Sequence, residues 1–343
     1  MILRILVLAV TLAVAGGPAS KAQAPPAAST PSAAMQAVLD YVQSQKTTGF
    51  LVMHEGRTLV EHNWPLGPGA EGFRANSTYG LTREGALLED VASQQKSFVA
   101  VLAAIAVDKG LLDVGRPVSA YLGAGWSKAP PEQESRIRVL DVLTMTSGLR
   151  PDFTYAAPAG TVFLYNTPVF AVTKAVLAAA AKTSLETLTR DWLTTPLGMA
   201  DTAWRKRPAA FADVGNPTGL VTSPRDTARF GQMVLDRGKA ADGRRVVSEA
   251  QLQALFARSA TNPAYGRLWW LNGSPYTIRP AGPSAARPLI LAAPADLVAA
   301  LGALDRKLYV VPSLKLVVVR MGQAAPDRDF DDRLWEKLTP ALR

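Results

Sequence analysis

Met35, Val38, Leu39 and Val42 recur at helical spacing between Met35 and Gln45, which predicts an amphipathic helix. Gly49–His54 and Arg57–His62 are apolar-rich runs flanking Glu55-Gly56, so a β-hairpin follows it. Residues 65–80 are rich in Gly, Pro and Asn and read as a loop. The stretch from Val99 to Val107 is apolar on every side, as expected of a helix buried at the centre of the protein. Ala- and Leu-rich sequence continues over roughly 93–236 and reads as mostly helix, interrupted by Pro and Gly. The pattern then changes: Tyr265–Leu271, Asp296–Leu301, Lys307–Val311 and Leu314–Met321 read as strands, and Phe330, Leu334 and Leu338 mark a closing helix. Strands therefore lie near both ends with helices between. The economical architecture is α+β: a mainly antiparallel sheet from N- and C-terminal strands, flanked by helices, with a helical region inserted at about 110–236.

The first residues stand apart. Arg4 precedes the apolar run Ile5–Ala15, and small residues follow, which is the layout of a secretory signal peptide. Ser20-Lys21-Ala22 offers a cleavage site after Ala22, so residues 1–22 are expected to be a signal and 23–34 a flexible leader rich in Ala, Pro and Ser. The domain itself is expected over 35–343, in a periplasmic or secreted protein with no stable membrane insertion after cleavage.

Composition narrows the chemistry. The chain of 343 residues has no Cys and two His, so a thiol nucleophile, a thiolate metal site and an iron–sulfur cluster are excluded. His54 and His62 both fall in the predicted hairpin, and no G-x-S-x-G elbow accompanies them, which counts against a Ser-His-Asp triad. No metal site and no organic cofactor are expected. The net charge is +9, but the basic residues are scattered, and the densest cluster, Arg205-Lys206-Arg207, falls in an apparent loop. A nucleic-acid footprint would need a basic face with interleaved aromatics.

The strongest candidate for chemistry is Ser93-Gln94-Gln95-Lys96, at the start of the buried helix. Ser93 is the only serine with a lysine three residues on. Helical spacing puts the two side chains on one face, where the amine can take the hydroxyl proton. Desolvation against the helix lowers a lysine pKa toward neutrality, and the helix N-terminus favours negative charge at Ser93. Trp269 and Trp270 fall on opposite faces of a strand, so at most one lines a cleft.

Beyond this point the segments Lys109–Leu122, Arg138–Leu149, Pro158–Phe170, Pro196–Trp204, Pro217–Leu235 and Ala264–Leu271, in that order, resemble the serine β-lactamase-like hydrolases. That superfamily holds class C β-lactamases, penicillin-binding D,D-peptidases, esterases and 6-aminohexanoate-dimer hydrolases. The resemblance implies the β-lactamase/transpeptidase-like fold, Ser93 as nucleophile, and Tyr165, after Gly160-Thr161-Val162-Phe163-Leu164, as its acid–base partner. The family's Y-x-N motif is displaced here to Tyr165-Asn166-Thr167, leaving Asn166 and Thr167 both as candidates for contact with the substrate. Its third motif, K-T-G or H-x-G, is represented by Ala300-Leu301-Gly302, which keeps the glycine and loses the cation. Gly302 is expected to let substrate approach the strand, with Gly302 or Ala303 as oxyanion donor. Arg306 or Lys307 could restore the charge, although a strand-and-solvent role is the simpler expectation for each.

The resemblance thus implies an exported serine hydrolase that cleaves a small ester or amide through an acyl-enzyme. Its partner is a small-molecule or peptide substrate, not nucleic acid. A D,D-peptidase, a D-aminopeptidase or a class C-like β-lactamase is the same-fold alternative. A non-catalytic sensor of peptidoglycan fragments is the alternative from another class.

Overall fold

The computed structural model describes residues 31–209, 215–280 and 284–342. The expected signal peptide and residues 23–30 of the expected leader lie outside them; the last two leader positions, Ala33 and Ala34, already belong to the first helix. The domain begins with helix α1 (Ala33–Ser44), where Ser32 accepts a hydrogen bond from the backbone N–H of Met35. Its apolar face, Met35, Val38, Leu39 and Val42, is buried.

The main sheet contains β1 (Thr47–His54), β2 (Arg57–Asn63), β7 (Trp270–Leu271), β8 (Val298–Gly302), β9 (Arg306–Val311) and β10 (Leu316–Gly322) in the order β2-β1-β10-β9-β8-β7. Every pairing is antiparallel. N- and C-terminal strands thus share one sheet, as their position in the sequence predicts. The central strands are buried on both faces, which explains why β9 and β10 read as nearly continuous apolar runs rather than alternating ones.

The middle of the chain is less helical than its composition suggests. It contributes helices α2 (Gln95–Asp108), α3 (Thr167–Ala181) and α4 (Pro224–Leu235), but also two strands. β5 (Ala203–Lys206) and β6 (Thr218–Thr222) join β3 (Thr78–Leu81) and β4 (Leu87–Asp90) in a second, four-stranded sheet of order β3-β4-β6-β5. These strands have four or five residues each, too short for a period-2 pattern to stand out from the surrounding Ala-rich sequence. The expected loop at 65–80 likewise holds a short helix, Glu71–Ser77. Of the expected strand Tyr265–Leu271, only Trp270 and Leu271 join the main sheet, because Leu268 takes a left-handed φ of 59° and turns the chain.

α4 lies on β1, β9 and β10. A Cβ at Gly231 would sit 2.6 Å from Val317 Cγ1 and 2.7 Å from Leu308 Cδ1, so only a glycine lets this helix approach the sheet so closely. The opposite face carries Tyr309, whose ring meets Trp335 of the closing helix α5 (Phe330–Ala341), and α5 in turn packs on α1.

Arg320 is fully buried on β10 and ties distant segments together. It donates to Thr47 Oγ1, to the carbonyls of Leu304 and Asp305 in the β8–β9 turn, and to those of Gln45 and Gln323. Replacing it by methionine would leave these acceptors buried without donors. We expect Arg320→Met to lower stability by roughly 3–5 kcal/mol in urea unfolding. Arg57→Met on the exposed part of β2 should change it little.

Candidate active site

β4 runs out of the second sheet into a tight turn, Ala92–Gln94, that leads directly into α2. Ala92 adopts a left-handed φ of 49°, unfavourable for a residue with a Cβ. Side chains hold it there: its N–H donates to Asp90 Oδ1 at 2.8 Å, and Gln95 Nε2 donates to its carbonyl at 2.8 Å. This strained turn lifts Ser93 to the mouth of two cavities while the helix behind it is buried from Gln95 to Ala106.

Lys96 lies one turn along. Its Nζ is 2.9 Å from Ser93 Oγ and 3.2 Å from Thr167 Oγ1, and the residue is 2% exposed. The amine also sits 4.8 Å from the ring centres of both Tyr165 and Phe170. Burial, reinforced by the positive charges of Arg207 and Lys174, brings its pKa down to about 7. Tyr165 moves the other way: burial pushes its phenol up to about 12, with the Ser93 hydroxyl opposing that shift. Near neutral pH the amine is thus substantially neutral and the phenol holds its proton.

α3 supplies the next group, and its start explains the displaced motif. Asn166 is the N-cap: its Oδ1 accepts from Val169 N, and its Nδ2 donates to Leu149 O. Both polar atoms are spent and the residue is buried, which corrects the expectation that it contacts substrate. Thr167 is the residue brought to Lys96 and to the cavity wall.

The third motif is placed as follows. Ala300 is fully buried, paired in register with Leu308. A Cβ on Gly302 would fall 2.3 Å from Val91 O and 3.3 Å from Gln94 N. The close approach that requires this glycine is therefore to the turn carrying Ser93, and Gly302 also lines one cavity beside Ser93. Ala303 lines both cavities beside Ser93. It is followed by Leu304 and Asp305 at φ 62° and 58°, the strained pair whose carbonyls Arg320 holds.

The two cavities diverge from Ser93. One, of about 320 Å³, is lined by Tyr165, Trp270, Leu289 and Leu301. The other, of about 260 Å³, is lined by Thr167, Asp90, Arg207, Asn216 and Arg306. Trp270 stacks on Tyr165, whereas Trp269 is packed in the core against Phe230 and Phe256. His54 and His62 lie on β1 and β2, separated from β8 by β10 and β9.

Several charged residues take unexpected places. Arg207 is buried, with Nε 2.6 Å and Nη2 2.9 Å from the two oxygens of Asp90, so it is not part of an exposed basic loop. Arg306 and Lys307 are also buried instead of facing solvent: Arg306 pairs with Glu89, and Lys307 with Asp331 and Asp305. Lys174, on α3, donates to Asn216 Oδ1 and Thr218 O, both at 2.7 Å, and burial brings it down to about 7. Sequence reasoning passed over Asp90, Lys174 and Asn216. The signal was Glu89-Asp90 inside the apolar stretch Leu87–Val91, since buried carboxylates need buried cations.

A serine and a lysine in contact beside the end of a strand of an antiparallel sheet, with a tyrosine ring next to them and helices on both faces of that sheet, is the arrangement of the serine β-lactamase-like α+β hydrolases. The family model described as Beta-lactamase matches residues 35–339, and the chain belongs to that family. Solved structures agree in fold. A candidate beta-lactamase from Bacteroides dorei DSM 17855 superposes with TM-score 0.68 at 16% identity, covering 90% of this chain and 97% of its own. A candidate 6-aminohexanoate-dimer hydrolase from Bacillus anthracis gives 0.64 at 15%, covering 89% and 81%. A beta-lactamase from Mycobacterium bovis gives 0.62 at 17%, covering 89% and 97%. A search of curated proteins returns no significant match.

Two outcomes follow from this geometry. If neutral Lys96 is the working base, kcat/KM rises as pH increases through about 7 and then levels off, which a pH–rate profile of ester hydrolysis measures. Gly302→Ala forces its new methyl against the Val91 carbonyl and shifts the turn or the strand. Activity should fall about 100-fold. Gly67→Ala, with open space around its Cβ, should leave kcat/KM unchanged.

Proposed function

We propose that this chain is an exported serine hydrolase that cleaves small esters or amides through an acyl-enzyme on Ser93. The observation that carries the reading is the contact between Ser93 Oγ and the buried amine of Lys96, at 2.9 Å. Lys96 in its neutral form accepts the hydroxyl proton as Ser93 attacks the carbonyl. Backbone N–H groups of Ser93 and Ala303 stabilise the oxyanion. Tyr165, held as a phenol, donates a proton to the leaving group and regains one from the Lys96 ammonium. The amine is thereby neutral again and can activate the water that releases the acyl group. The step is balanced without a metal or organic cofactor.

Ester or amide substrates are preferred over β-lactams because of Ala300. The position where β-lactam-binding members carry a cation is a buried alanine, so a carboxylate on the leaving-group side meets no strand cation there. The export assignment rests on the N-terminal pattern of Arg4 and Ile5–Ala15.

Hydrolysis of a p-nitrophenyl ester and labelling by a fluorophosphonate probe test the assignment. Ser93→Ala should abolish labelling and reduce turnover by about 10³-fold or more. Equal labelling and turnover in the two proteins would overturn it. Turnover of nitrocefin as fast as the ester would reverse the substrate ranking.

A further inference from the structure

We propose that the cavity on the Thr167 side of Ser93 is an acyl-group subsite built for a carboxylate, which makes the substrate a half-ester or half-amide of a dicarboxylic acid. This inference rests on the reading of Ser93 as the nucleophile.

The two cavities around Ser93 have distinguishable roles. Tyr165 lines the larger one, and as the proton donor it must face the leaving group, so the leaving group departs past Trp270 and Leu289. The acyl portion then lies in the cavity of about 260 Å³ on the Thr167 side.

The polar groups of that second cavity are unevenly satisfied. Its carboxylates are fully used. Asp90 takes Arg207 Nε on one oxygen, and Arg207 Nη2 and Ala92 N on the other. Glu89, behind Arg306, takes Thr48 Oγ1, Arg306 Nε and Gly322 N. Donors are left over: among the described residues, Asn216 Nδ2 and Arg306 Nη2 have no partner, and these side chains are 1% and 2% exposed. An unpaired buried donor costs about 1–3 kcal/mol, more when charged, so two of them on residues that line one cavity mark a place where a ligand brings acceptors.

Charge selects among acceptors. The guanidiniums of Arg207 and Arg306 are balanced by Asp90 and Glu89, so neither carboxylate is free for a cationic ligand, and Lys174 sits directly on Asn216 Oδ1. An ammonium group would meet two guanidiniums and no vacant carboxylate. A purely apolar chain would leave both donors unpaired. A carboxylate supplies acceptors to both Asn216 and Arg306, and its bond to the guanidinium is charge-assisted. This places the anion on the acyl side, opposite to where the missing strand cation would have held one.

Mono-p-nitrophenyl adipate and its neutral counterpart, p-nitrophenyl methyl adipate, separate the possibilities. In the wild-type protein kcat/KM for the anionic ester should exceed that for the neutral one by about ten- to a hundredfold. Asn216→Asp keeps an acceptor for Lys174 and replaces the free donor by a carboxylate, so the ratio should fall toward one. Arg306→Gln should lower it too. As a readout independent of any variant, adipate should inhibit turnover of the methyl ester competitively and adipamide should not. A wild-type ratio of one or less, with turnover that still requires Ser93, overturns the carboxylate subsite and leaves the hydrolase reading standing. A ratio unchanged in both variants also overturns it. Ser93-independent or absent turnover of both esters overturns the reading underneath.

Discussion

A lysine amine inside a protein is kept neutral near pH 7 chiefly by removing it from water without giving it a carboxylate. The structure around Lys96 satisfies both conditions. α2 is apolar on all sides and buries the stem, the rings of Tyr165 and Phe170 close over the amine, and its hydrogen-bond partners are two hydroxyls, Ser93 and Thr167. Asp90, which shares a cavity wall with Ser93, is fully engaged with Arg207. The ion pair therefore does two things: it anchors Asp90, which pins the strained Ala92 that presents Ser93, and it presents a positive charge to Lys96 instead of a negative one. An unpaired Asp90 near Lys96 would hold the amine protonated and unable to accept a proton.

The same constraint explains why the site lies where the two sheets meet. A turn strained at Ala92 needs rigid support on both sides. β4 anchors it in the small sheet, and β8 of the main sheet is pressed against it at Gly302, close enough that no side chain fits between. Behind β8, the buried Arg320 ties the strained turn at Leu304 and Asp305 to the start of β1 and to the segment after β10. The nucleophile turn and the proposed oxyanion turn are thus each fixed to a sheet by a buried arginine, Arg207 for one and Arg320 for the other.

Long apolar periodicities made the architecture legible in the sequence: the hairpin at 49–62, the all-apolar helix at 99–107 and the strands near the C-terminus are strong local signals. Ser93 and Lys96 were legible for the same reason, because helical spacing alone places them together. The small sheet was not, since β3 to β6 are short and each depends on partners far away in the chain. Asn166 was ambiguous because an asparagine ahead of a proline serves equally as a helix cap or a ligand contact, and only its hydrogen bonds decide. Arg207, Arg306 and Lys307 were misplaced because a basic residue is exposed far more often than buried. Each is buried beside an acidic partner distant in sequence, Asp90, Glu89 and Asp331, a pairing that no local pattern reveals.

Those three buried cations also decide how the cleft is polarised. On the leaving-group side Lys307 is held by Asp331 and Asp305, which leaves, among the described residues of that lining, only Arg279, exposed at the rim, to offer positive charge. An exposed cation is screened by water and contributes little to selecting a ligand. On the acyl side Arg306 is desolvated, and although Glu89 balances its charge, one face of the guanidinium keeps an unused donor. A desolvated donor without an acceptor has more to gain from a ligand than a hydrated one, because nothing has yet repaid the loss of its water. Discrimination in this cleft should therefore fall on the acyl group, with the leaving group chosen mainly by its fit against Trp270 and Leu289.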